Sequence, residues 1–142
     1  MRIQDLYYIA RWFYKKKIPL IPKLIYYLQY FIYNSHVPYK ADIGKGVTFS
    51  YGGIAVVIHH RAKIGESCSI GARVTLGGRS GIYRVPELGN NVYVGVGAVI
   101  IGNVKVGDNA VIGANAVVIN DVEENEVVAG VPARHIKFNN EV

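Results

Sequence analysis

An all-β fold, a three-sided parallel β-helix with a short helical segment at its front, is what this 142-residue sequence predicts. Three observations predict it. Large aliphatic or aromatic residues recur every sixth position from Val37 onward, small or β-branched residues recur four positions after each of them, and all 16 glycines lie at or after Gly44. The length suits one domain plus an appendage. A content of 51% apolar and 18% charged residues excludes intrinsic disorder, while the glycines and the single Met argue against a helical bundle. The single Cys excludes an internal disulfide framework or a Cys-based zinc site, and a reducing, cytoplasmic compartment is expected.

The front segment differs in its physics. Residues 1 to 41 carry seven basic side chains and Asp5 as their one acid, so the whole net charge of +6 resides there, and ten of the 16 aromatic residues precede Asn34. Leu6, Ile9, Trp12 and Phe13 recur at helical spacing, Lys15 to Lys17 with Pro19 and Pro22 interrupt, and Leu24 to Tyr33 resume, which predicts two short helices. The uncharged stretch from Leu24 to Tyr39 falls short of the roughly 20 residues that span a bilayer. No secretory signal is evident. Tyr and Trp mixed with Lys and Arg favour the lipid headgroup region, so peripheral membrane contact through residues 1–34, at the inner face of the cell membrane, is expected, with packing on the protein or a second subunit as the alternative. Nucleic acid is not an expected partner, because no groove-reading module is visible.

From Val37 the large position runs through Ile43 and Phe49, slips by three residues, and continues at Ile58, Ile64, Ile70 and Leu76, then from Leu88 through Val94, Ile100, Val106, Ile112 and Val118. Gly fills the second hexad position at 44, 65, 71, 77, 89, 95, 107 and 113, where it is expected to permit tight turns. Each flat side of a three-sided β-helix requires one large inward residue and one small residue near the corner, and stacked coils bury a continuous apolar column. Cys68 falls on a small position and reads as a packing residue.

Two departures break the frame, and in repeat proteins function is usually grafted at such places. Ser50-Tyr51-Gly52-Gly53-Ile54-Ala55 adds three residues at one corner. Gly78 to Glu87 replaces a hexad by a polar, turn-rich segment expected to project as a loop.

The hexads, with V-T-L-G-G-R-S-G at 74–81 and A-G-V-P-A-R at 129–134, resemble the hexapeptide-repeat acyltransferases with a left-handed β-helix, in the serine acetyltransferase-like branch that includes polysaccharide O-acetyltransferases. The resemblance covers about residues 35–137 and divides the chain into a helical leader (1–34), a left-handed β-helix acyltransferase domain (35–137) and a tail (138–142). It implies a homotrimer, with acetyl coenzyme A as acyl donor in the groove between neighbouring β-helices and no metal. Carried over by position, coenzyme contacts fall on Gly77, Gly78, Val96, Gly97, Ala114, Arg134 and Lys137. Val96 stands where the family has Ala.

The family's catalytic His, in a pattern like H-G-G-x-G-V-V-I-H, falls on Tyr51; the Asp that orients it falls on His36, and a further His falls on Val85. A phenol near pKa 10 is a poor base at neutral pH, whereas imidazole near 6.5 suits the task. Three readings follow: His59 or His36 is the general base, Tyr51 only positions substrate, or activity is lost. His59 leads because it closes V-V-I-H after the interrupted corner. His60 and His135 read as surface residues. The expected function is acetyl transfer to a hydroxyl of a sugar or glycan of capsule or lipopolysaccharide type. The alternatives are serine O-acetylation and a catalytically impaired trimeric scaffold that binds coenzyme A or glycan at a membrane. A zinc carbonic anhydrase on the same fold is disfavoured, since no His lies between His60 and His135.

Overall fold

A computed structural model describes residues 1–139: two antiparallel helices, then strands of two to five residues that wind into three flat parallel sheets. Face I holds β1 (Asp42–Ile43), β4 (Lys63–Ile64), β7 (Glu87–Leu88) and β10 (Lys105–Val106). Face II holds β2 (Thr48–Phe49), β5 (Ser69–Ile70), β8 (Tyr93–Val94), β11 (Val111–Ile112) and β13 (Glu126–Ala129), closed by the antiparallel β14 (Arg134–Phe138). Face III holds β3 (Val57–Ile58), β6 (Thr75–Gly77), β9 (Val99–Ile101) and β12 (Val117–Val118). The fold is the left-handed parallel β-helix. The strand β14 runs one residue past the expected domain boundary at 137, and residues 140–142 of the expected tail lie outside the described residues.

The core is the hexad column itself. Every large position from Val37 to Val118 and every small position from Ala41 to Val122 is buried. Burying each Val, Leu or Ile contributes on the order of 1.5–3 kcal/mol before chain entropy is set against it. Cys68 is buried there, its thiol pushed up by desolvation, with Sγ 3.1 Å from the Gly89 carbonyl.

The register shows what each departure does. A plain coil takes 18 residues, as from Val57 to Thr75 or Glu87 to Lys105. The coil with the first departure takes 21, from Asp42 to Lys63, and the coil with the second takes 24, from Lys63 to Glu87. The second departure therefore inserts six residues at a corner and replaces no side, unlike the sequence expectation.

The hexad glycines also act differently from the expectation. Position-two glycines do not make the turns. Positive φ falls two residues later, at Gly46, Ser67, Arg73, Asn91, Gly97, Asn109 and Asn115, where Asn and Gly tolerate the left-handed region best. Position two is Gly because coils approach closely: a Cβ at Gly71 would sit 2.6 Å from the Val96 nitrogen, and one at Gly44 would sit 2.7 Å from the Gly65 carbonyl carbon.

The helix α1 (Ile3–Lys15) starts in a capping box of Arg2 and Asp5 and buries Ile3, Leu6, Tyr7 and Ala10. Ile3 and Tyr7 join the β-helix core. The Tyr7 hydroxyl donates to the Ala41 carbonyl at 2.6 Å and accepts the Ile43 N–H at 3.0 Å. Arg11 donates to the Tyr39 and Lys40 carbonyls, both at 3.0 Å. This helix thus covers the open end of the first coil. The helix α2 (Ile21–Tyr33), begun with Pro22 in its first turn and ended by Asn34 in the left-handed conformation, packs mainly on α1.

Candidate active site

Two corner columns flank face III. After each strand of face II the chain turns through Ser50–Val56, then 71–74, 95–98 and 113–116, stacked by bonds such as Gly97 N–H to Ala72 O (2.9 Å) and Asn115 N–H to Val96 O (2.9 Å). After each strand of face III it turns through 59–62, 78–86, 102–104 and 119–121; His59 N–H bonds Leu76 O (2.8 Å) and Gly102 N–H bonds Gly77 O (3.0 Å). From Gly97 in one corner to Gly102 in the other the chain advances five residues across the face, roughly 16 Å at strand rise.

The expected site residues divide between these edges. Tyr51, Val96, Gly97 and Ala114 lie on the first, and Arg134 continues it from the last coil, where the Ala133 N–H bonds Val117 O. Gly77, Gly78 and His59 lie on the second. One chain therefore brings His59 together with Gly77 and Gly78, but it does not bring either group to Tyr51, Val96 or Ala114. His59 follows the interrupted corner, which ends at Val56, and opens the next one. Lys137 sits on β14, exposed like Arg134.

Gly77 and Gly78 differ from the other hexad glycines in a way that bears on ligands. A Cβ at Gly77 would meet nothing nearer than 3.5 Å, and one at Gly78 would meet nothing nearer than the His59 ring at 3.5 Å. Neither has positive φ. Packing and backbone conformation thus leave room for Ala at both.

His59 is half-buried, with its ring stacked on His60 at 4.4 Å. Its Nδ1 accepts the Arg61 backbone N–H at 3.1 Å, which leaves the proton of the neutral ring on Nε2. Desolvation first, then the charges of His60, Arg61 and His36, hold its pKa below the usual imidazole value, so it is neutral at pH 7. In this tautomer Nε2, beside Gly78, is a donor and not a base.

His36 continues face III below β3, pairing in parallel with Val57. Its Nδ1 makes a short hydrogen bond with the Tyr26 hydroxyl of α2, and desolvation, then His60, lowers its pKa. Tyr51 projects into solvent at 82% exposure with φ 52° and ψ 38°. Val85, where the resemblance has a further His, is buried in the core beside Gly78. His135 is exposed and bonded to Glu126 at 2.9 Å.

Two partners escape sequence reading. Arg61 lies 4.0 Å from the Tyr83 ring centroid and donates to the Tyr83 carbonyl at 2.7 Å, which ties the inserted loop to the His59 corner. With His60, Lys63 and Arg84 they line a cleft of about 630 Å³. Tyr26 is the second; it is one of ten aromatics in the leader, and no periodicity directs it to His36. Among the described residues no cluster of three or more His, Cys, Asp or Glu side chains forms a metal site.

The fold defines a class, the transferases of hexapeptide-repeat type: residues 86–120 match the family model described as bacterial transferase hexapeptide (six repeats). Among curated proteins, the chain is 36% identical to a serine acetyltransferase of Helicobacter pylori over 132 residues, 92% of this chain and 77% of that protein. It is 40% identical to a serine acetyltransferase of Synechococcus elongatus over 131 residues, 90% of this chain and 53% of that protein. Among solved structures, the serine acetyltransferase from Brucella abortus superposes with a TM-score of 0.88 at 31% identity, covering 96% of this chain and 56% of that one. A serine acetyltransferase in complex with CoA gives 0.86 at 32% identity, covering 94% of this chain and 55% of that one. The chain belongs to the serine acetyltransferase family. It spans about half the length of the first curated relatives it matches.

Proposed function

We propose that the protein is an acetyl-CoA-dependent O-acetyltransferase of the serine acetyltransferase type, working as a homotrimer. The observation that carries the proposal is the bare Gly77–Gly78 backbone beside His59, where packing leaves room for side chains that the sequence does not supply. The CoA complex of a relative supports the donor, and the serine acetyltransferase names of the relatives favour serine over the glycan acceptor expected from the leader. A narrow pantetheine arm touching both Gly77–Gly78 and Val96–Gly97–Ala114 needs the two edges of face III on different copies, which is the reason for the trimer. Arg134 and Lys137 supply cations for coenzyme phosphates at the far end of that groove.

The thioester is already activated, so the protein must hold the two reactants together, manage one proton and stabilise an oxyanion. The acceptor oxygen forms a bond to the acetyl carbon as the carbon–sulfur bond breaks, and the hydroxyl proton ends on the CoA thiol. His59 Nε2–H is ready to donate to the developing oxyanion. Serving as the base requires the other tautomer, reached by breaking the 3.1 Å bond from Arg61 N–H. CoA release with serine and a panel of sugars tests the proposal on the parent and on His59→Ala, His59→Asn and Tyr51→His. His59→Ala should lower turnover about 10²- to 10⁴-fold. Substantial activity in His59→Asn assigns the donor role, and its loss assigns the base. A silent parent made active by Tyr51→His marks an impaired site; no coenzyme binding by the parent overturns both the transferase and the coenzyme-scaffold readings.

A further inference from the structure

The helix α2 is turned inside out for a helix of a water-soluble surface. Its polar Gln29 is buried, with Nε2 donating to the Val37 carbonyl at 2.8 Å, while Leu24, Leu28 and Phe31 point to solvent at 66%, 50% and 80% exposure. Leu20, Leu24, Leu28 and Phe31 follow the helical period, so they form one stripe. A continuous apolar stripe that a soluble fold leaves uncovered marks an interaction surface.

Charge decides what covers it. No acidic residue occurs between Asp5 and Asp42, and Lys15, Lys16, Lys17 and Lys23 are exposed around the start of the stripe. Among the described residues none of these four makes an ion pair. A cleft of about 660 Å³ between the α1–α2 turn and Tyr39–Lys40 is lined by Lys15, Lys17, Lys23 and Lys40 and by the Tyr14 and Tyr39 rings. A second copy meeting this face symmetrically would set lysines against lysines with no carboxylate between them. An anionic bilayer complements both features: acyl chains take the stripe, and headgroup phosphates take the lysines and the cleft. No helix among the described residues is long and apolar enough to cross a membrane, so α2 would lie in the interface plane.

We propose that the outward stripe of α2 and the lysines of the α1–α2 turn form a docking surface for bilayers bearing anionic phospholipid. The surface lies at the first-coil end and is independent of acetyl transfer. Ile3, Leu6, Tyr7 and Ala10 of α1 are buried and lie outside this surface.

The test is co-sedimentation of the full chain with phosphatidylcholine vesicles with and without phosphatidylglycerol, over a range of salt. The proposal expects binding that requires phosphatidylglycerol and weakens with salt. Each lysine near such a surface contributes about fivefold in affinity, so Lys15→Ala/Lys16→Ala/Lys17→Ala should weaken binding on the order of 10²-fold. Leu24→Ser/Phe31→Ser, exposed positions whose replacement leaves the fold intact, should also release the protein. No binding by the parent overturns the proposal. So does full binding by the Leu24→Ser/Phe31→Ser variant, which would indicate phosphate adhesion by lysines alone. Lipid-free assembly beyond a trimer that this variant abolishes would identify a second copy as the occupant and equally overturn it.

Discussion

Replacing Gly65 by Ala and, separately, Gly77 by Ala sets two glycines of the same hexad position against each other. A Cβ at Gly65 would lie under 3.0 Å from the Gly89 carbonyl group in the coil above, backbone that moves only if two coils part. Overpacking of this kind costs about 1–3 kcal/mol. At Gly77 the nearest atoms are methyl groups of Ile101 and Thr75 at 3.5 Å, an ordinary contact. There the loss of unfolded-state freedom favours Ala by about 0.4–1 kcal/mol. Urea unfolding followed by circular dichroism, at one protomer concentration so that assembly does not confound the comparison, should show Gly65→Ala with a midpoint lower by on the order of 1 M. Gly77→Ala should match or exceed the parent while weakening CoA binding. Equal stability of parent and Gly65→Ala would refute the close-approach account. A Gly77→Ala protein that is destabilised would show that packing, not ligand access, requires that glycine.

Tyr7→Phe leaves the Ile43 N–H and Ala41 carbonyl without a partner in a buried site, a loss of about 1–3 kcal/mol that the same urea assay would read. Removing residues 1–18 should destabilise the whole β-helix by uncovering its first coil, contrary to a removable leader; unchanged melting of the truncated chain would contradict this. His36 and His59 have folded pKa values below the unfolded value, so the unfolded chain binds more protons as pH falls through that value. Their contribution to stability is full above about pH 6.5 and is lost below it toward the folded values, and His36→Gln should flatten that acid slope in urea midpoints.

The β-helix was legible because its rule is local: the large and small positions repeat every six residues, and all of them are buried. The role of the second-position glycines was not, since their neighbours lie a coil away. Position four, where Asn91, Asn109 and Asn115 adopt positive φ, carried the turn signal instead. The site was legible only by position. Sequence spacing joins Tyr51 to His59, yet the coil carries them to opposite edges of one face. The tautomer of His59 depends on a backbone N–H two residues on, and Tyr26 reaches His36 through the docking of α2. The outward turn of the α2 stripe was not legible, because periodicity reports an apolar face without saying which way it turns.

In the proposed trimer each coenzyme site joins the Gly77–Gly78 edge of one copy to the Ala114 edge of the next. Gly78→Val and Ala114→Leu should each fold and assemble, and each should abolish CoA binding by calorimetry, from opposite sides of the groove. Co-expressed in equal amounts, the two variants form mixed trimers in which about a quarter of the interfaces pair an unaltered Gly78 edge with an unaltered Ala114 edge. The mixture should regain about that fraction of the parent's sites at parental affinity. Mixed trimers that bind no CoA would contradict it.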